Sequence, residues 1–469
     1  MNNVNFCFTS AVELKRMFSA KQLSPVELID AVLERIDRLN PRLNAFCLLD
    51  PDGARTAARQ AERAIMQGTG LGLLHGLPIS IKDLAMTKGL RTASGSHIFA
   101  NRIPDADAPV VERLRAAGAI LIGKTCVPEF GWKALSDSPL TGITRNPWNP
   151  AMTAGGSSSG AAVAAAAGLG PLHHGSDGAG SIRIPAAFCG VFGFKPSFGR
   201  VPYHPTPNND NASHIGPLTR TVADGALMLA AMAGADDRDR FSLEGSPDAY
   251  VAELDAGIKG LKVGFSQDLG YLSVDDDIAS IVANAASAFA DLGCHLDSVD
   301  PGFDDSRDLI EFMWCAHEAG HLADYLSTWK DKMDPGLVAC VHQGLHYSAV
   351  EYIRMRARKL QYWDKVRAFF QRYDLLLTPA TSVAAFPVGR LNPEHYPQHD
   401  WNWLQWAGFS YPFNFTGLPA ASVPCGFTPS GLPVGLQIVG RRFADLTVLK
   451  AARAFEQARP WALHFPALD

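Results

Sequence analysis

From Thr153 to Phe194 the chain reads TAGGSSSGAAVAAAAGLGPLHHGSDGAGSIRIPAAFCGVFGF, two glycine and serine clusters joined by a run of alanines. Alanine is the best helix former, so Ala161 to Leu169 reads as one buried helix with hydroxyls at both ends. Small residues packed this densely suit a place where backbone must approach a ligand closely. Ser157 and Ser181 are the two hydroxyls to follow, and Gly178-Ala179-Gly180 ahead of Ser181 offers consecutive backbone N–H groups with little side-chain obstruction.

Around this stretch helical and strand-like segments alternate. Ser24-Pro25-Val26-Glu27 forms a capping box with proline at the first helical position, and the apolar spacing that follows predicts a helix to about Asn40, before Pro41. A second helix is expected near Ala54 to Met66. In LLHGLPISIKDLAM, Leu77, Ile79 and Ile81 alternate with Pro78, Ser80 and Lys82, the period of a strand. Lys82 therefore points away from the Ile79 and Ile81 face, and Asp83 points opposite to it. A lysine at a strand end ordinarily reaches solvent.

Val110 to Ala117 reads as a helix and Ala119 to Ile122 as a short apolar strand. The literal P-loop match Gly118 to Thr125 lies across this strand. It lacks the flexible loop and following helix that phosphate binding needs, and Pro128 follows almost at once. Tyr373 to Thr378, LPAASVPCGF and GLPVGLQIVGR read as strands, and Leu446 to Arg459 as a closing helix. The fold class expected is α/β, a single large mixed β-sheet covered by helices on both faces. No charged or low-complexity linker divides the 469 residues, so one domain, 1–469, is expected, with residues 236–370 as a helical covering region.

Charged residues make up 19 % of the chain and the formal net charge is -5, which gives no electrostatic reason to expect nucleic-acid binding. The N-terminus lacks the pattern of a signal peptide and no apolar run is long enough to span a membrane, so a cytoplasmic protein without membrane association is expected. Eight cysteines without CxxC spacing favour reduced, buried thiols over disulfides or a cysteine metal site.

Three chemical readings compete. The first is a serine nucleophile without histidine, Ser181, with the adjoining backbone N–H groups as an oxyanion hole. The second takes Gly156-Ser157-Ser158-Ser159-Gly160 as a G-x-S-x-G elbow with Ser158 as nucleophile, but no apolar strand precedes it. The third is His317-Glu318-Ala319-Gly320-His321, a literal H-E-x-x-H that could hold zinc with Glu318 as base. It has no third histidine at the expected distance, although His342, His346 or Glu351 could serve.

At GGSSSGAAVAAAAG and GSDGAGSIRIPA the chain resembles the amidase signature family. HGLPISIKD, AILIGKTCVPEFG, TRNPWNP, GFKPSFGRVP and GLPVGLQIVGR match that family's other hallmark segments. The similarity extends from about residue 70 to the C-terminus, with a signature core at 70–230, and is weakest between 235 and 370. It implies an amidohydrolase acting on linear amides through a Ser-cis-Ser-Lys triad: Ser181 as nucleophile, Ser157 as bridging serine after a cis peptide, Lys82 as base. Gly178, Ala179, Gly180 and Ser181 would supply the oxyanion N–H groups. To accept a proton Lys82 must be neutral, and bringing a lysine from about 10.4 to near 7 costs roughly 4 to 5 kcal/mol of differential interaction.

The resemblance implies no cofactor and no metal. It implies a small-molecule amide as substrate, and a homodimer is compatible with it. Many members carry threonine and glycine where this chain has Gly178 and Ala179, a departure that bears on how Ser181 is positioned and on substrate class. The alternative within the same resemblance is the glutaminase subunit of a tRNA-dependent amidotransferase. A zinc hydrolase built on His317, Glu318 and His321 is the remote alternative. The aromatic stretch Trp401 to Phe415 is read as packing, with an apolar acyl pocket as the other option.

Overall fold

The computed structural model describes residues 6–69, 71–207, 210–245 and 247–468. Eleven strands form one mixed sheet: β1 (Phe46–Leu49), β2 (Pro78–Lys82), β3 (Ile120–Thr125), β4 (Leu172–Asp177), β5 (Phe192–Lys195), β6 (His214–Thr219), β7 (Lys262–Phe265), β8 (His295–Ser298), β9 (Leu375–Pro379), β10 (Ala420–Phe427) and β11 (Pro433–Gly440). Their order across the sheet is β1-β3-β2-β4-β6-β5-β10-β11-β9-β7-β8. β2 runs parallel to both β3 and β4, whereas β4 and β6 are antiparallel.

Neighbouring residues on one strand enter different apolar clusters, which shows that both faces of the sheet are covered. Leu375, Leu377, Leu436 and Ile438 belong to one cluster, while Leu376 and Val439 belong to another. The period-2 geometry of a strand sends adjacent side chains to opposite faces, and here neither face meets water.

The early helices differ from expectation mainly at their ends. Ser24 caps the helix Pro25–Leu43 and Glu27 completes the capping box, but the helix continues through Pro41. Leu39 and Leu43 are buried on either side of that proline, so packing holds the last turn helical despite the lost backbone bond, and Asn44 then ends it in the left-handed region at φ 51. The helix expected near Ala54 to Met66 spans Pro51–Gln67, the one expected at Val110 to Ala117 spans Pro109–Ala116, and the closing one spans Asp445–Ala458.

The covering region departs further. Residues 236–370 do carry the long helices Asp276–Asp291, Arg307–Leu322 and Ala349–Phe370, and the segment GLKVGFS, strand-like in sequence, forms β7; they also supply the unexpected β8, and the two strands extend the main sheet at its edge. β8 is half-exposed to exposed along its length, so no buried alternation marks it in the sequence. Among the described residues no helix is long and apolar enough to cross a membrane, and all eight cysteines are free thiols.

Candidate active site

β2 ends at Lys82, and its parallel neighbour β4 ends at Asp177, in a register that pairs Ser80 with His173. The two strand ends therefore lie side by side. Ser157 and Ser158 immediately precede the helix Ser159–Ala166, whose residues are all buried. Ser181 follows the turn Gly178 to Gly180 and leads into the helix Arg183–Cys189. The two serine clusters meet through the main chain: Ser157 N–H donates to Ser181 Oγ at 3.0 Å and Ser158 N–H to Ser181 O at 3.3 Å.

Lys82 is fully buried, where a strand-end lysine would ordinarily reach solvent. Its Nζ lies 2.7 Å from Ser157 Oγ, 2.9 Å from Ser158 Oγ, 3.0 Å from Ser176 Oγ and 3.2 Å from Ser176 O. Burial pulls its pKa down to about 7, against the upward influence of Asp177. No hydrogen bond joins Lys82 to Asp83, whose carboxylate instead accepts Ala93 N–H at 3.1 Å.

The three hydroxyls around Nζ are not equivalent. Ser158 Oγ donates its proton to Ser176 O at 3.0 Å and accepts Ser176 N–H at 3.2 Å, so that proton is committed. Ser176 Oγ also bonds the Tyr203 side chain. Ser157 Oγ has the shortest contact with Nζ, and Lys82 is the only hydrogen-bond partner it has among the described residues. A neutral amine offers two N–H bonds and one lone pair, and Ser157 is the hydroxyl best placed to use the lone pair.

Asp177 and Arg183, on either side of Ser181, lock the turn that carries it. Both side chains are fully buried, with Arg183 Nη2 2.9 Å from Asp177 Oδ1 and Nε 3.0 Å from Oδ2. Asp177 also accepts Gly180 N–H at 2.7 Å, Ile182 N–H at 3.1 Å and Asn414 Nδ2 at 2.8 Å. Burial alone would raise this carboxyl, but the Arg183 ion pair and these donors hold it well below the usual carboxylate range. Arg183 Nη1 reaches across to Ser410 O at 2.9 Å and Gln437 Oε1 at 2.8 Å, tying the turn to the C-terminal strands.

Two features differ from what the family resemblance implies. Among the described residues the one cis peptide is His204-Pro205, so the bond before Ser157 is trans. The sharp turn there is made by Gly155 at φ 70 and Gly156 at φ 61, a left-handed pair that glycine adopts without strain. The N–H of Gly180 is turned inward onto Asp177 and is not free for an oxyanion. Those of Gly178, Ala179 and Ser181 have no partner among the described residues. Gly180 itself sits at φ 114, and a Cβ there would come within 2.5 Å of Ser410 Oγ. Gly180→Ala is therefore expected to reduce turnover by at least about tenfold while leaving Lys82 buried, measurable as kcat/KM beside an unchanged far-UV spectrum.

The competing motifs lie elsewhere. Lys124, the lysine of the P-loop match, is inside β3 and donates to Ala85 O, Thr87 Oγ1 and Thr92 Oγ1 at 2.6, 2.8 and 3.0 Å. All three of its ammonium protons are used within the protein. His317 and His321 lie on the helix Arg307–Leu322; His317 Nε2 meets Tyr352 Oη at 3.0 Å and Glu318 is buried. Among the described residues no three His, Cys, Asp or Glu side chains are grouped to hold a metal ion. The aromatic stretch is core: Trp403, Trp406 and Tyr411 are buried, and Trp406 stacks on Phe188 at 5.8 Å, behind the helix that follows Ser181.

Sequence reasoning brings Lys82, Ser157 and Ser181 forward but passes over Ser176, Asp177, Arg183 and Asn414. The available signal is two opposite charges inside a stretch of otherwise small and apolar residues, since charges in such surroundings are paired when buried.

The profile of the Amidase family matches residues 27–449. The chain is 39% identical over 482 residues to an acylamidase of Rhodococcus erythropolis, covering 100% of this chain and 99% of that protein. It is 35% identical over 486 residues to a glutamyl-tRNA(Gln) amidotransferase subunit of Geobacillus kaustophilus, covering 98% and 99% respectively. A bacterial aryl acylamidase of the amidase signature enzymes superposes with a TM-score of 0.89 at 32% identity, covering 97% of each chain.

Proposed function

The chain belongs to the amidase signature family and is an amidohydrolase, and from that premise we propose that it cleaves carboxylic amides through an acyl-enzyme on Ser181. The observation that carries this reading is the fully buried Lys82 amine 2.7 Å from Ser157 Oγ, with its pKa near 7. At neutral pH a large share of Lys82 is unprotonated and can take the Ser157 proton. Ser157 Oγ in turn takes the proton of Ser181, whose oxygen is already held beside Ser157 N–H.

Attack of Ser181 Oγ on the amide carbon gives a tetrahedral oxyanion, for which the unpartnered N–H groups of Gly178, Ala179 and Ser181 are the donors. The proton stored on Lys82 returns through Ser157 to the leaving nitrogen, and amine departs. Water then attacks the ester and gives a proton through Ser157 to Lys82, and that proton returns to Ser181 Oγ as its bond to the acyl carbon breaks and the acid is released. The Asp177 and Arg183 pair touches no reacting atom in this scheme. It is a positioning device that keeps the donor turn rigid.

The pH dependence follows from Lys82. Below about 7 the amine is protonated and cannot act as base, so kcat/KM is expected to rise with pH through an apparent pKa near 7 and then level off. A rising limb centred near the ordinary lysine value would overturn the assignment.

A fluorophosphonate is expected to add one adduct, mapped by peptide mass spectrometry to Ser181. An adduct on Ser158 would favour the elbow instead, against the commitment of the Ser158 proton to Ser176 O. For substrate, the 39% identity to an acylamidase supports a stand-alone enzyme acting on acyl amides. The full-length likeness to amidotransferase subunits keeps a second reading in play. Release of amine from a simple aryl amide by the purified chain supports the first, whereas glutamine turnover only with a partner chain supports the second.

A further inference from the structure

A groove of about 590 Å³ lies against the helix Ala349–Phe370. Phe198, Phe241, Phe415 and Phe443 line its opposite wall, and Leu360 and Trp363 line it from the helix. Phe241 and Phe443 are 44% and 42% exposed. Phe443 is also held at φ 65, a left-handed conformation that strains an aromatic residue.

Three guanidinium groups, those of Arg240, Arg356 and Arg442, share this groove. Arg240 lies over the Phe241 ring at 4.8 Å and Arg442 over the Phe443 ring at 4.1 Å, and among the described residues none of the three has a carboxylate partner. Lys359 adds a fourth cation, with its amine on Asn211 Oδ1. A chain of net charge -5 thus gathers positive charge at one place, beside exposed rings. Guanidinium groups recognise carboxylates in a planar, two-pronged manner, and aromatic walls take a flat or extended apolar body.

We propose that this groove binds an organic carboxylate with an apolar body, the class of acid that amide hydrolysis releases. It shares Phe198, Asn211, Arg240 and Phe241 with a cavity of about 280 Å³. That cavity shares Tyr203, Thr206 and Pro207 with an inner one of about 170 Å³, whose lining includes Ser176 beside Lys82. Adjoining cavities therefore lead from the neighbourhood of Lys82 to the groove. The middle cavity is lined by Asp237 and Asp239 as well as Arg238 and Arg240, whereas the groove is lined by cations and, among the described residues, no carboxylate, so an anion is favoured at the groove. Identifying the anion as the reaction's product rests on the amidohydrolase reading; the binding of such an anion does not.

The test is calorimetric titration of phenylacetate and of its neutral counterpart 2-phenylethanol. The proteins are the wild type, the wild type phosphonylated on Ser181, and the triple variant Arg240→Ala, Arg356→Ala, Arg442→Ala. Phenylacetate is expected to bind the first two alike and the triple variant more weakly by about tenfold or more, with affinity falling as salt rises. Binding of 2-phenylethanol should be unchanged by the triple substitution. Equal phenylacetate affinity in the triple variant, or no saturable binding to the wild type, overturns the proposal. So does loss of binding on phosphonylation, which would place the acid in the catalytic centre. Failure of the Ser181 reading is seen separately, as an adduct missing from Ser181, and leaves the comparison of wild type with triple variant intact. The three arginines are exposed, and circular dichroism checks that the variant is folded.

Discussion

Lys82→Met is expected to lower kcat/KM by about four orders of magnitude, the loss typical of removing the base that activates a serine nucleophile. The variant should also resist phosphonylation of Ser181 while keeping its fold. Its stability gives a second, independent readout. The folded protein holds this amine near 7 against its ordinary 10.5, so between those pH values the unfolded chain binds more protons than the native one. The penalty on the native state is complete below about 7 and disappears as pH rises past 10.5, and at its fullest it amounts to about 4 to 5 kcal/mol. Methionine fills similar volume without that penalty, but it leaves the hydroxyls of Ser157, Ser158 and Ser176 short of a partner, which offsets part of the gain. The expected result is a melting temperature at or above that of the wild type at pH 7, with the difference narrowing toward pH 10. Normal turnover by Lys82→Met excludes the lysine as base.

Arg183→Met should have the largest effect on stability, a loss of about 3 to 5 kcal/mol in denaturant titrations, because it leaves Asp177 buried and charged without its counter-ion. It also removes the links from the Ser181 turn to Ser410 O and Gln437 Oε1. Activity should fall with it, through misplacement of the N–H donors and not through lost contact with substrate. The double variant Asp177→Asn, Arg183→Met should recover part of the stability, since the unpaired charge is gone. If the single variant were as stable as the wild type, the clamp would be incidental.

How far the sequence can be read depends on whether a residue's surroundings are local. The strand period places Lys82 away from the Ile79 and Ile81 face correctly, because alternation is a property of five adjacent residues. It cannot show that Lys82 is buried, since that depends on Ser157, Ser158 and Ser176 arriving from distant segments. Ser157 and Ser181 stand out only with the family pattern beside them; by composition they belong to a flexible loop. Asp177 and Arg183 escape notice because their six-residue spacing spans a glycine turn and matches no helix or strand period. β8 is hidden among the covering helices for a related reason, as an edge strand with exposed side chains leaves no apolar rhythm. Pro41 misleads in the opposite direction: a local rule ends the helix, and burial of Leu43 extends it.

The strand order has a consequence for how the enzyme comes into being. β10 and β11, made after residue 419, lie between β5 and β9 and join the first six strands to β9 and the two strands from the covering region. Before they emerge from the ribosome, β5 and β9 each lack a neighbouring strand, and loop closure over more than two hundred residues must wait. Part of the Arg183 network waits as well, because Gln437 belongs to this late segment, while Ser410 and Asn414 come just before it. Catalytic competence is then the last property the nascent chain acquires. A chain cut before Ala420 would expose two unpaired strand edges to aggregation and depend on chaperones for its survival.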